Sequence, residues 1–146
     1  MNICIVGAGA IGGWVGARLA LAGETVMALT SRGARDTLEI TEGGNSATAL
    51  MTRFEGPADL LVVAVKATAL SNAAQSARAL IGPETIIIPM LNGVPWWFVE
   101  NMPLASVDPD GSIAAALPFE QIVGCVVHAS CRRPEPDRVV ITHADK

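Results

Sequence analysis

Apolar residues occur along this chain in short runs that alternate with longer segments of helical character. Four such runs lie at residues 3–6, 25–29, 59–65 and 85–88. Runs that are apolar at nearly every position are typical of parallel strands buried on both faces of a sheet. Residues 10–22 have few helix breakers after Gly16 and are followed by Gly23, a residue that commonly ends helices, so this segment predicts a helix. Residues 71–81 are rich in alanine and predict a second helix. This order predicts an α/β fold with a doubly wound, mostly parallel sheet.

Two segments between the apolar runs have weaker patterns. Residues 36–54 contain the turn sequence Gly43-Gly44-Asn45, and they predict a short helix near residues 36–40 with one or two weak strands after it. We expect another short helix over residues 96–101. Residues 103–118 are rich in Pro, Asp and Gly, which predicts a loop with a short Ala-rich helical piece.

The last part of the chain predicts a β-hairpin. Residues 122–131 and 138–143 are two β-rich runs, and Pro134-Glu135-Pro136-Asp137 lies between them. This arrangement predicts an antiparallel hairpin appended to the parallel sheet. We therefore expect residues 1–146 to form one domain of ordinary size.

The glycine-rich stretch Gly7-Ala8-Gly9-Ala10-Ile11-Gly12 lies between the first predicted strand and the first predicted helix. In that position it matches the fingerprint of dinucleotide-binding Rossmann domains, where the start of the helix faces a pyrophosphate. Gly7 permits a tight turn, Gly9 permits close approach of a phosphate, and Gly12 permits close packing of the helix on the sheet. We predict that these six residues bind a dinucleotide. A turn that serves packing alone is the alternative.

The residues after the second predicted strand bear on the choice of cofactor. NAD-specific domains commonly have an acid here that binds the ribose 2′-hydroxyl, but the first acid in this chain is Asp36. Ser31 and Arg32 instead offer a hydroxyl and a guanidinium suited to a 2′-phosphate, which favours NADP (NADPH) over NAD. Arg35 either assists Arg32 or lies on a solvated helix surface. An exposed loop charge is the alternative for Arg32.

Two polar residues follow the third and fourth predicted strands, Lys66 and Asn92. Ligands of open α/β sheets bind outside the carboxyl ends of the strands, so both residues are candidates for cofactor and substrate binding. Lys66 can contact substrate or cofactor anions, and the Asn92 amide can bridge cofactor and substrate. The alternatives are a snorkelling surface lysine and the turn preference of an Asn-Gly pair.

Composition and charge exclude several function classes. The chain is 51% hydrophobic, with a mean hydropathy of +0.43, a net charge of −4 and a pI near 5.0. The absence of a basic stripe argues against a nucleic-acid partner. No run reaches the roughly 18 apolar residues of a membrane span, and no Lys or Arg precedes the apolar start as in a signal peptide. We therefore expect a cytoplasmic protein without a membrane partner.

The cysteines and histidines do not form a recognisable chemical motif. Cys4, Cys125 and Cys131 contain no CxxC pair, so we expect no disulfide and assign Cys4 to the core of the first strand. His128 and His143 are the only histidines, and no Cys or carboxylate cluster accompanies them, so we expect no metal site. His128 is expected to be a strand residue at the edge of the cleft.

Several motifs, taken in order, resemble the ketopantoate reductase (2-dehydropantoate 2-reductase) family. They are Gly7-Ala8-Gly9-Ala10-Ile11-Gly12, Ser31-Arg32-Gly33-Ala34, Val65-Lys66-Ala67, Leu91-Asn92-Gly93-Val94 and Gly124-Cys125-Val126-Val127-His128-Ala129. The resemblance covers the whole chain and implies an oxidoreductase that uses NADPH. The implied reaction reduces the 2-keto group of ketopantoate, a small 2-keto acid, to pantoate in pantothenate and coenzyme A synthesis. It also implies that Lys66 and Asn92 line the cofactor and substrate cleft.

The family also has a second, helical domain, which supplies a lysine as general acid and a substrate-binding glutamate. Because this chain stops at Lys146, we expect a truncated chain that lacks the C-terminal helical catalytic domain, binds cofactor and is inactive alone. The alternatives are a related dehydrogenase of another 2-keto or 3-hydroxy acid and a dinucleotide-binding module without turnover. We further expect Trp96, Trp97 and Phe98 to be partly exposed beside the cleft and to form a homo-oligomer contact.

Overall fold

A computed structural model describes residues 1–99 and 104–144 of the chain. The strands are β1 (Asn2–Val6), β2 (Thr25–Thr30), β3 (Gly33–Arg35), β4 (Thr37–Glu42), β5 (Asn45–Leu50), β6 (Leu60–Val63), β7 (Ile86–Pro89), β8 (Ala129–Glu135) and β9 (Arg138–Ala144). The α-helices are α1 (Ala10–Leu21), α2 (Leu70–Ala77) and α3 (Ser112–Ala116), with 3₁₀ turns at Ala67–Ala69, Arg78–Leu80 and Phe119–Gln121.

The first sheet has the strand order β3-β2-β1-β6-β7. Strands β2, β1, β6 and β7 are parallel, and only the short β3 is antiparallel to its neighbour. The chain moves outward from β1 to β2 and β3, and later returns to the other side of β1 to add β6 and β7. The α/β fold with a mostly parallel sheet is confirmed, and this reversal places the expected binding crevice at the end of β1.

Strand β1 is buried on both faces, as its apolar run predicts. Ile3 and Ile5 belong to a core shared with α1, whereas Cys4 and Val6 belong to a core shared with α2 and α3. Alternate residues of a strand point to opposite faces, so one strand supplies both cores. The burial of Cys4 in β1 is confirmed.

The second sheet has the order β5-β4-β9-β8 and was not predicted. The helix expected at residues 36–40 is wrong, because Thr37–Glu42 is strand β4. Leu38 and Ile40 are buried while Glu39 between them is more exposed, so the apolar period is two rather than 3.6. The turn Gly43-Gly44 is confirmed: both glycines have positive φ values, 56° and 83°, which suits a two-residue hairpin between β4 and β5.

The C-terminal hairpin is confirmed as the antiparallel pair β8–β9, but it is not appended to the parallel sheet. Strand β9 instead pairs in parallel with β4. The first predicted run also starts too early. Ile122 forms only an isolated bridge to Ile87 of β7, and the regular ladder of β8 begins at Ala129.

Helix α1 lies between the two sheets and approaches both closely. A Cβ added to Gly16 would lie 3.0 Å from Ile5 Cγ1 in the first sheet, and one added to Gly13 would lie 3.0 Å from Val139 Cγ2 in the second. Such contacts are tight for carbon atoms, which is why small residues face both sheets. Helix α1 thus connects the two sheets through glycine on two of its faces.

The remaining expectations have different outcomes. The helix predicted over residues 71–81 is α2 with a 3₁₀ turn after it, and the short Ala-rich piece is α3. Residues 96–99 form turns rather than a helix, and the rest of the segment 96–101 lies outside the described residues.

Trp96 is 5% exposed and packs in the core, so the expectation that it is exposed is wrong. Phe98, by contrast, is 66% exposed.

The Thr85 side chain stabilises the loop that precedes β7 through two hydrogen bonds. Its buried hydroxyl donates to the Ala58 carbonyl at 2.7 Å and accepts from the Gly82 N–H at 2.8 Å. We expect Thr85→Val to lower the free energy of unfolding by about 1–3 kcal/mol, because it removes both bonds and keeps the volume. Thr85→Ser keeps the hydroxyl and should cost less. Urea denaturation measures both, and a Val variant as stable as the Ser variant would contradict this role.

Candidate functional site

The carboxyl ends of the four parallel strands are aligned by their register. One row of paired residues crosses the sheet at Leu29, Val6, Val63 and Pro89. Three positions further along each segment are Arg32, Gly9, Lys66 and Asn92. Neighbouring strands lie about 4.8 Å apart, so these four predicted site residues follow one sheet edge about 14 Å wide. The register therefore brings the residues predicted from four separate motifs to one edge.

The glycine-rich loop is held against β2 by its backbone. The N–H groups of Gly7 and Ala8 both donate to the Leu29 carbonyl, at 2.9 and 3.0 Å. Gly7 has φ +95°, and a Cβ there would lie 2.6 Å from the Ala64 carbonyl oxygen. A Cβ at Gly12 would collide with the Gly7 carbonyl oxygen. Both positions therefore require glycine for the fold itself.

Gly9 differs from the other two loop glycines because the space around it is open. The nearest atom to a Cβ built there is the Gly7 carbonyl oxygen at 3.9 Å, so no steric contact opposes a side chain, although the φ of −82° and ψ of −146° lie outside the common α and β regions. Gly9 is also the N-cap of α1, where no side chain caps the helix. The N–H groups of Ala10, Ile11 and Gly12 have no acceptor among residues 1–99 and 104–144. Open space beside free N–H groups at a helix start fits a phosphate.

The turn after β2 presents Ser31 and Arg32 to solvent. Thr30 Oγ1 accepts the Arg32 N–H at 3.1 Å and donates to the Gly33 carbonyl at 2.9 Å, which fixes the turn between β2 and β3. Both Ser31 and Arg32 are exposed, and no carboxylate in the described part of the chain forms an ion pair with Arg32. The guanidinium is thus available for an external anion.

The expectation that Arg35 lies on a solvated helix surface is wrong. Arg35 lies on β3 rather than on a helix, and its guanidinium pairs with the Asp137 carboxylate at 2.8 Å. Its side chain is 19% exposed. Arg35 therefore connects the first sheet to the turn of the β8–β9 hairpin, and its charge is already compensated.

Lys66 and Asn92 follow adjacent parallel strands and are both exposed. The Lys66 carbonyl accepts the Ala69 N–H at 2.8 Å, so the residue begins a 3₁₀ turn while its side chain is directed away from the core. Its ammonium has no carboxylate partner within the described ranges. Asn92 precedes Gly93, which has φ +96°, so the turn preference of this pair is also satisfied.

A cleft of about 300 Å³ opens beside the glycine-rich loop. It lies between the start of α1, the residue after β7 and the segment that leads into β8. Its lining is mostly apolar and comprises Ile11, Trp14, Val15, Met90, Cys125, Val126, Val127, His128 and Ala129. His128 thus lies at a cleft edge as expected, although it precedes β8 instead of lying within it.

Two of the three thiols, those of Cys4 and Cys131, are poorly suited to nucleophilic chemistry. Burial raises the pKa of the Cys4 thiol to about 12, and burial also raises the pKa of Cys131. Thiolates are the reactive form, so neither residue is an activated nucleophile. Within the described ranges, no group of three or more His, Cys, Asp or Glu side chains could hold a metal ion. None of the helices in those ranges is long and apolar enough to cross a bilayer.

One residue near the loop was missed by the reading of the sequence. Arg133 Nη1, on β8, donates to the Ala8 carbonyl oxygen at 3.2 Å. The two residues are 125 positions apart, and nothing in the local pattern around Arg133 distinguishes it from Arg132. Only the packing of the second sheet beside α1 brings this charge to the loop.

Comparisons with known proteins agree on one family. The model of the family described as "Ketopantoate reductase PanE/ApbA" matches residues 3–146. A 2-dehydropantoate 2-reductase of Mesorhizobium japonicum is 34% identical over 154 residues, which cover 93% of this chain and 47% of that protein. A crystal structure from Ralstonia solanacearum MolK2, provisionally named a ketopantoate reductase, is 42% identical with a TM-score of 0.89, over 97% of this chain and 49% of that one.

A more distant structural neighbour is D-mandelate dehydrogenase, in a ternary structure with NADH and anilino(oxo)acetate. It has a TM-score of 0.78 and 22% identity, over 98% of this chain and 46% of that one, and it shows the fold alone. The chain therefore spans about half the length of the proteins it matches.

Gly9 gives a direct test of the phosphate position. We expect Gly9→Val to keep the fold, because its site is open, and to abolish dinucleotide binding, because the isopropyl group fills the space beside the helix N-terminus. Circular dichroism and cofactor titration measure the two effects. Gly12→Ala is the contrasting variant and should destabilise the fold through the clash with Gly7. Unchanged binding by a folded Gly9→Val protein would place the phosphates elsewhere.

Proposed function

The chain belongs to the ketopantoate reductase family PanE/ApbA, and from this premise we propose that it binds NADPH in an enzyme that reduces ketopantoate to pantoate. The observation that carries the proposal is the alignment of Gly9, Arg32, Lys66 and Asn92 along one sheet edge. That edge lies where the strand order reverses, the position at which open α/β sheets bind dinucleotides. We include a cytoplasmic location in the proposal, since the three cysteines are free thiols.

In this proposal, the glycine-rich loop and the turn after β2 bind different parts of the cofactor. The first-turn N–H groups of α1 and the open space at Gly9 suit the diphosphate. Arg32, with the Ser31 hydroxyl, suits the 2′-phosphate that distinguishes NADPH from NADH. When bound, NADPH supplies the hydride that reduces the 2-keto carbon.

Lys66 and Asn92 are proposed to act on the substrate side of the same edge. An ammonium without a carboxylate partner among the described residues can hold the carboxylate of a 2-keto acid and offset negative charge on the former keto oxygen. The Asn92 side-chain amide can donate a hydrogen bond that orients the keto group for reduction. We propose that the proton for the product alkoxide comes from a general acid in the part of the family's length that this chain does not span.

Arg32 tests the preference for NADPH. We expect Arg32→Ala to weaken NADPH binding by roughly 1.5–3 kcal/mol, the range for a hydrogen bond to a charged group, and to affect NADH much less. Titration of both cofactors against tryptophan fluorescence measures the difference.

Arg53→Ala is the matched control for Arg32. Arg53 is also exposed, and it pairs with Asp36 at 3.4 Å near the opposite end of β2, where Thr52 bonds to Val26. The control removes the same charge and should leave both affinities unchanged. Equal affinities of the wild-type chain for NADPH and NADH would contradict the proposed role of Arg32.

A turnover assay tests whether the general acid lies outside this chain. We expect the 146-residue chain to bind NADPH but to leave it unoxidised when ketopantoate is added, because the proposed general acid lies elsewhere. Absorbance of the reduced nicotinamide measures this directly. Sustained oxidation would contradict the expectation, and its loss in Lys66→Met with the KM for ketopantoate unchanged would then make Lys66 the candidate general acid.

A further inference from the structure

The second sheet contributes a cation to the glycine-rich loop. Arg133 Nη1 donates to the Ala8 carbonyl at 3.2 Å, and Ala8 lies between the two glycines at the start of the fingerprint. Ala8 is 1% exposed, and its own N–H bonds to Leu29 on β2. The contact therefore places a permanent positive charge beside a rigid part of the loop.

Arg133 is held in place by the hairpin that carries it. The β8–β9 ladder has an irregularity between Arg132 and Glu135, so Arg133 leaves the regular alternation of the strand. The hairpin turn is tied to two other strands: the Asp137 carboxylate pairs with Arg35 on β3 at 2.8 Å, and its carbonyl accepts the Glu39 N–H on β4 at 2.7 Å. The bond to β4 holds the turn within the second sheet, and the ion pair with Arg35 connects it to the first sheet, so the hairpin that carries Arg133 is fixed beside the glycine-rich loop.

The charge of Arg133 exceeds what its contact with Ala8 requires. A neutral donor would satisfy the carbonyl equally well, and a guanidinium has five N–H donors, of which one is used here. Arg138, on the neighbouring strand, has Glu39 and Glu135 within 4 Å, whereas Arg133 has no carboxylate partner in residues 1–99 and 104–144. Within the described residues, Arg133 is thus a cation without an ion-pair partner beside the loop.

We propose that Arg133 binds the diphosphate of the dinucleotide, so that the second sheet supplies part of the cofactor site. This inference rests on the proposed function. Arg133 contacts the loop between β1 and α1, whereas Arg32 lies in the turn after β2. The two arginines therefore have separate tasks: Arg32 selects for the 2′-phosphate, and Arg133 binds the group that NADPH and NADH share.

Cofactor titration of three variants tests this assignment. Arg133→Gln removes the charge and keeps a donor for the Ala8 carbonyl, Arg133→Lys keeps the charge, and Arg132→Gln makes the same charge change on the adjacent residue. We expect Arg133→Gln to raise the Kd of NADPH and of NADH by the same factor, about tenfold or more. The Arg133→Lys variant should lose less, and Arg132→Gln should bind both cofactors as the wild type does.

The ionic-strength dependence of Kd separates a direct charge contact from a structural role. An ion pair with phosphate is screened by salt, so Arg133→Gln should flatten this dependence while Arg133→Lys and Arg132→Gln preserve it. Thermal melting checks that all three variants fold. Unchanged affinity in Arg133→Gln, or a loss with unchanged salt dependence, would overturn the assignment. Failure of the wild-type chain to bind either cofactor would instead overturn the proposed function.

Discussion

The close approach of α1 to the two sheets is the constraint on which the rest of the structure depends. Gly16 faces Ile5 in the first sheet, and Gly13 faces Val139 in the second. At each position there is room for a hydrogen atom, but a methyl group would be in tight steric contact with its neighbour. Gly12 faces the Gly7 carbonyl at the start of the same helix. Side chains at these positions would push α1 away from the strands, and the helix N-terminus would no longer lie at the carboxyl edge of β1.

The glycines of the loop therefore have two different tasks. Gly7 and Gly12 serve the fold, because a Cβ at either position would collide with backbone or with a neighbouring side chain. Gly9 has open space around it, so packing does not require glycine there. A small residue at a position where the fold tolerates a larger one indicates space kept for a ligand. The packing geometry thus separates the candidate phosphate position from its structural neighbours.

Some of the cations form ion pairs with carboxylates of the described residues, and others do not. Arg18, Arg35, Arg53 and Arg138 form ion pairs with carboxylates, and those at Arg35 and Arg138 connect β3 and β4 to the hairpin. Arg32, Lys66 and Arg133, near the loop and the sheet edge, have no such partner in the part of the chain that the structure describes, and neither do Arg78 and Arg132. Cations without a carboxylate partner among the described residues give this edge a local attraction for anions in a chain whose overall charge is −4.

Local sequence patterns were sufficient to identify the elements that depend on a few neighbouring residues. Apolar runs identified the four parallel strands, and the glycine spacing identified the turn from β1 into α1, because backbone conformation and burial are encoded within a few residues. Local pattern is ambiguous at Thr37–Glu42, because only two buried residues alternate there and so short a pattern also fits the helix that the sequence predicts. Only the tertiary structure decided that β9 pairs with β4, that Trp96 is buried and that Arg133 reaches Ala8. Each of these contacts joins residues distant along the chain, and their energies depend on packing that no local window contains.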